Sequence, residues 1–82
     1  MSVYVDNYFA NYRGMKMSHM TADTLEELHA MAERLDLRQW FQNTRTPHYD
    51  LCKSKRVEAI KLGAIPEGVW EGARRRLRAK SI

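Results

Sequence analysis

Cysteine is nearly absent. Cys52 stands alone among 82 residues, so the chain can form no internal disulfide and has no set of thiolates for a structural metal; its fold depends on packing, in keeping with a reducing compartment. Long apolar runs are absent as well, none approaching the roughly 20 residues that span a bilayer. Nor does a basic and then apolar segment open the chain, so the expected location is cytoplasmic, with no membrane partner. No His-Glu-x-x-His or comparably compact metal signature occurs. There is no internal repeat, and the one biased segment is a cluster of arginines near the C-terminus.

What is present fits one small domain. A chain of this length buries roughly 60% of its unfolded surface, and an apolar content of 44% is enough for a core. The net charge of +4 is unevenly placed. Arg74, Arg75, Arg76, Arg78 and Lys80 carry five positive charges, leaving residues 1–73 slightly acidic. The expected organisation is a domain over residues 1–65 with a basic C-terminal helix over 66–82 packed on it or extending from it.

Val3-Tyr4-Val5 reads as a short buried strand, followed by a loop through Asn11 and Gly14. Met15 to Met20 alternates with a period of two, as a second strand would. Thr24-Leu25-Glu26-Glu27 matches a capping box, with the Thr24 hydroxyl accepting from the Glu27 amide and the Glu27 carboxylate reaching back to the Thr24 amide. Leu25, Leu28, Ala32 and Leu35 then form the apolar stripe of a helix from about Leu25 to Leu35. Leu37 to Gln42, with Trp40 and Phe41, fits a third strand, and a polar loop ending at Pro47 follows. A second helix begins at Asp50 or Ser54 and stops where Gly63 takes the left-handed C-terminal position. A third helix starts near Pro66. The expected fold is therefore α/β, a sheet of about three strands with two to three helices, in which the second and third strands are parallel neighbours joined by a β-α-β crossover.

In open parallel sheets ligands sit beyond the carboxyl ends of the strands. Here Asp6, His19, Asp23, His48, Tyr49 and Asp50 fall near such ends. Carboxylates and imidazoles together support proton transfer or hold a divalent metal. Lys53, Ser54, Lys55 and Arg56 open the second helix, where the dipole disfavours cations, so they form either a solvated basic face or a phosphate site. The bland readings stand beside these: Asp23 and Asp50 as helix caps, His29 as a packed histidine with one hydrogen bond, and Cys52 as a buried thiol rather than a nucleophile. Trp40 and Phe41 read as core, Met15, Met17 and Met20 as filler, and the arginine cluster, which no aromatic residue interleaves, as either a solvated helix end or a nucleic-acid contact.

Val3-Tyr4-Val5-Asp6, Arg13-Gly14, His19-Met20, Ala22-Asp23, Leu25 to Ala30, Trp40-Phe41-Gln42, His48-Tyr49-Asp50, Ser54-Lys55-Arg56 and Gly63-Ala64, in that order, resemble the bacterial and phage family known as domain of unknown function 4031 over roughly residues 3 to 65. The resemblance implies a shared polar site among Asp6, Arg13, His19, Asp23, His29, His48, Tyr49, Asp50, Lys55 and Arg56, and a bacterial or phage-infected cytoplasm. The chain departs from the pattern at Asn7, where members usually carry a second aspartate, and at Ser18, where they usually carry a cysteine.

The expected function is binding of a nucleotide or other phosphate-bearing small molecule, with phosphoester hydrolysis as its chemical extension. His19, His48, Asp6 and Asp23 are the candidate catalytic residues; Arg13, Tyr49, Asp50, Lys55 and Arg56 are the candidate ligand-binding residues. No cofactor is specified, and a divalent metal is compatible with the set. The alternative is a non-catalytic phage accessory or adaptor that holds nucleic acid or an acidic host protein through Arg74, Arg75, Arg76 and Arg78. On these readings tail binding vanishes on truncation after Gly72, whereas a pocket ligand survives that truncation and is lost in His48→Ala or Arg56→Ala.

Overall fold

Alternation along three segments builds the sheet. In a computed structural model that describes residues 2–80, the strands are β1 (Val3–Val5), β2 (Ala10–Tyr12), β3 (Met15–Ala22), β4 (Phe41–Gln42), β5 (His48–Cys52) and β6 (Ile65–Pro66). The helices are α1 (Leu25–Arg34), α2 (Lys53–Lys61) and α3 (Val69–Lys80), with a single 3₁₀ turn at Arg38–Trp40. The mixed sheet runs β4-β5-β3-β1-β6, and β2 pairs with the free half of the β3 edge that β1 also occupies.

The sheet has six strands rather than about three, and the difference is informative. His48–Cys52, read from sequence as loop running into helix, is a strand that pairs with β3 through Met17↔Cys52, Ser18↔Leu51, His19↔Asp50 and Met20↔Tyr49. Its burial alternates because Tyr49 and Leu51 enter the core while their neighbours face the other way. By occupying the edge of β3 it separates β3 from β4. These two strands do run in the same direction and are joined through α1, but they are not neighbours. A second parallel crossover, β5-α2-β6, carries the chain past β3 and β1 to the far edge. The loop expected after β1 contains β2, whose hairpin with β3 turns at Arg13 and Gly14.

One face of the sheet carries the apolar core. Val3, Val5, Met20, Tyr49 and Leu51 project toward Leu28, Met31, Ala32 and Leu35 of α1 and its C-terminal end, and toward Ala59 of α2. Burial of a side chain such as Leu51 or Met20, both with no exposed surface, contributes about 1.5–3 kcal/mol. Met31 takes the place expected of Leu25, which is half exposed at the first turn. The Thr24 hydroxyl does accept from the Glu27 amide at 3.2 Å, but the Glu27 carboxylate accepts from that same hydroxyl at 2.9 Å instead of reaching the backbone. Gly63, at φ +111°, closes α2 with Ala64 N donating to Ala59 O at 2.9 Å, as the C-terminal motif requires.

The opposite face receives α3. Tyr4 and Thr21, paired across β1 and β3, point away from the core toward Arg75. That guanidinium lies 3.6 Å from the Tyr4 ring centroid and donates to Thr21 Oγ1 at 3.0 Å. It also donates twice to the largely buried Glu67 carboxylate, at 2.9 and 3.2 Å. Of the segment expected as a helix over 66–82, Pro66 belongs to β6 and the helix is Val69–Lys80, held across the sheet by Arg75; Met1 and residues 81–82 lie outside the described residues.

Candidate functional site

The face beneath α3 is polar because of strand register. Period two on β3 places His19 on the same side as Thr21, and on β5 it places His48 and Asp50 there. His19 is directly opposite Asp50, with His48 one step along. Asp6 follows β1, where its amide donates to the His19 carbonyl at 3.0 Å. Three of the four candidate catalytic residues, Asp6, His19 and His48, therefore come together, and Asp50 joins them.

Asp6 is the orienting group. Its carboxylate accepts from the backbone amides of His19 at 2.9 Å and Tyr8 at 3.2 Å, and from the His19 ring Nδ1 at 2.8 Å. Burial pushes its pKa up, but those hydrogen bonds prevail and hold it below the ordinary carboxylate value. His19 is raised, first by its hydrogen bond to Asp6 against the opposing effect of burial, and further by the charges of Asp6 and Asp50, while Arg76 opposes them. Since a carboxylate only accepts, His19 Nδ1 carries the proton and Nε2 is turned toward Asp50 Oδ1, 3.8 Å away. His48 repeats the arrangement: Nδ1 donates to the Thr46 carbonyl at 2.9 Å, and Nε2 lies 3.5 Å from the same Asp50 oxygen. The two imidazoles meet edge to face with centroids 5.0 Å apart. One ligand atom from each of His19, His48 and Asp50 falls within 4.8 Å of the others, the one such group found among the described residues.

The cleft above this cluster has a volume of about 180 Å³, with walls from Asp6, His19, His48 and Thr46 on one side and Gly68, Gly72 and Arg76 on the other. It adjoins two larger depressions. One, of about 450 Å³, shares Thr21, Thr46 and Arg76 and extends to Leu25, Arg45 and Pro47. The other, of about 340 Å³, shares His19 and is lined by Asp50, Trp40 and Tyr12.

Five other candidates do not reach the cleft. Asp23 accepts from the Ser2 amide at 2.9 Å and the Tyr4 hydroxyl at 3.1 Å, fastening the start of the chain to the end of β3. Tyr49 is buried on the core face, its hydroxyl 2.7 Å from His29 Nδ1. Arg13 occupies the β2–β3 turn at φ +49° beside the Tyr12 ring. Lys55 pairs with Glu58 at 3.4 Å along α2. Arg56 donates to the Asp6 carbonyl at 2.8 Å and packs over Phe9, so it braces the loop carrying Asp6 instead of meeting an anion. Cys52 caps α2, and its thiol is lowered chiefly by the Ser54 hydroxyl at 3.2 Å.

The arginine cluster divides by helix geometry. Arg75 is spent on α3's own attachment, Arg74 and Arg78 are exposed, and Arg76 lines the cleft. Sequence reading grouped Arg76 with the tail; its i, i+4 spacing from Gly72, which puts both on one face of α3, was the available signal. The Thr46 carbonyl, which orients His48, has no signal in a sequence.

Together these features define a small α/β protein whose polar sheet face, roofed by a basic helix, carries a two-histidine, one-aspartate cluster. The chain belongs to the family described as "Protein of unknown function (DUF4031)", whose model matches residues 3–80. The match extends past the residues 3 to 65 that carry the sequence resemblance and takes in α3. No curated protein matches the chain, and no solved structure does. No helix among the described residues is long and apolar enough to cross a membrane.

Proposed function

We propose that the chain binds a phosphate-bearing small molecule in the cleft under α3 and hydrolyses its ester. The supporting observation is Arg76: half-buried, lining the same cavity as His19 and His48, and held by no hydrogen bond or ion pair among the described residues. A guanidinium left in that state matches a phosphate oxygen pair, and the neighbouring cluster supplies the groups that activate water. Arg76 replaces Lys55 and Arg56 as the phosphate-binding cation. The cavity alone is smaller than the roughly 300–1,000 Å³ of ordinary ligand sites; with the adjoining 450 Å³ depression it reaches that range, so the phosphate sits at Arg76 and the organic part beyond Thr46. The nucleic-acid or adaptor reading is weaker because Arg75 is turned inward, leaving Arg74 and Arg78 as its outward arginines.

The test is thermal denaturation with a panel of nucleoside monophosphates and inorganic phosphate. A true ligand at 100 times its Kd stabilises by about 2.7 kcal/mol. Arg76→Ala abolishes the shift and Arg74→Ala retains it. Equal loss in both variants, or none in Arg76→Ala, removes the proposal.

A further inference from the structure

The geometry points to a binding site for one divalent first-row transition metal ion, of the zinc, iron or cobalt kind, at His19 Nε2, His48 Nε2 and Asp50 Oδ1. The site stands on its three ligands and does not require that the cleft ligand be a phosphate ester.

The argument is one of mismatched hydrogen bonding. Both rings commit their Nδ1 protons elsewhere, His19 to the Asp6 carboxylate and His48 to the Thr46 carbonyl. In the neutral rings each Nε2 then presents a lone pair, and both lone pairs face a carboxylate oxygen that also only accepts. Three acceptors directed at one point are satisfied together by a cation among them, whereas a proton on one ring satisfies Asp50 and leaves the other Nε2 facing an acceptor. Metal–nitrogen bonds of about 2.1 Å put adjacent ligands about 3.0–3.4 Å apart; the two separations to Asp50, 3.5 and 3.8 Å, need a few tenths of an ångström of contraction, and the group as a whole, whose ligand atoms lie within 4.8 Å of one another, closes around the ion by rotation of the imidazoles. Carboxylate and carbonyl acceptors behind metal-bound histidines are the usual means of fixing the tautomer and ring direction. Two imidazoles with one carboxylate favour zinc, iron and their neighbours over magnesium or calcium, which prefer all-oxygen sets. His19 and His48 line the cleft, and His19 and Asp50 line the adjoining 340 Å³ depression, so an ion held by the three would lie between these two spaces; water bound to such an ion has a lowered pKa and becomes a nucleophile at neutral pH.

The experiment is calorimetric titration of the chelator-stripped full chain with Zn²⁺, without any phosphate compound present, together with the visible spectrum of the Co²⁺ form. The expected result is one ion per chain and a Co²⁺ spectrum without a thiolate charge-transfer band. Asp50→Asn and His48→Ala each weaken binding at least about tenfold, Asp6→Asn weakens it by about 10- to 100-fold through the ring it orients, and His29→Ala, on the other face, leaves it unchanged. Circular dichroism establishes that each variant is folded, and Asp50→Asn, which keeps side-chain volume, carries the test if His48→Ala is not. Failure of the wild-type chain to take up metal, an unchanged affinity in Asp50→Asn, equal loss in His29→Ala, or a thiolate band implicating Cys52 would each overturn the site. Because no phosphate is present, a negative result here leaves the Arg76 experiment to be judged separately.

Discussion

The Asp6–His19 contact links strand register to charge. Asp6 is lowered from 3.8, its hydrogen bonds outweighing burial, and His19 is raised from 6.5, chiefly by Asp6. A lowered acid contributes stability above its unfolded pKa and loses it as pH falls through the folded value. A raised histidine contributes below its unfolded pKa and loses that as pH rises through the folded one. The pair therefore contributes most between about 3.8 and 6.5 and fades on either side. Urea midpoints of the stripped protein, measured against pH, should show this excess stability in the wild type and its loss in Asp6→Asn. At this scale the sequence was partly legible: Asp6, His19 and His48 were identifiable by type, but only Asp6 follows the carboxyl end of a strand, since His19 lies within β3 and His48 opens β5. Asp23 and Tyr49 were not separable from them, because the same residue types serve as a brace and a core hydroxyl once burial and partners are fixed.

At the scale of elements, α3 shows why propensity is a poor guide. Gly72 weakens an isolated helix by about 1 kcal/mol relative to alanine, yet a Cβ there would stand 2.7 Å from Glu67 Oε1. That carboxylate cannot move freely, since Arg75 holds both its oxygens. Gly72→Ala should accordingly lower the denaturation midpoint, and in a Glu67→Ala background the same change should become stabilising by up to about 1 kcal/mol; a stabilising Gly72→Ala in the wild type would contradict this account. α1 was readable because its cap and stripe are local signals. β5 was not read, although Tyr49 and Leu51 alternate with His48, Asp50 and Cys52, because five residues beside a helix start offer too short a pattern to distinguish strand from loop.

Across the whole molecule, the core cluster lies within residues 3–64, whereas the roof of the cleft belongs to α3. Truncation after Gly72 should leave a folded sheet with its far-ultraviolet dichroism reduced by little more than the lost helix. Zn²⁺ uptake should persist, because its ligands are on β3 and β5, and phosphate binding should vanish with Arg76. The sequence reading expected the reverse for a pocket ligand, having placed its phosphate on α2. Retained phosphate binding in the truncated chain would show that Arg76 is not its anchor.

The sequence by itself determined the local matters: the capped helix α1, the left-handed stop at Gly63, the basic C-terminal segment, and the residue types able to do chemistry. These depend on contacts within a few positions, where 3.6- and 2-residue periods and capping preferences act directly. Only the tertiary structure decided that β5 lies between β3 and β4, so that His19 faces Asp50, and that Arg76 rather than Arg56 lines the cleft with His19 and His48. Such choices depend on which strand buries the most apolar surface against β3 and on the side from which a helix covers the sheet, and these are energies of contact between segments distant in the chain.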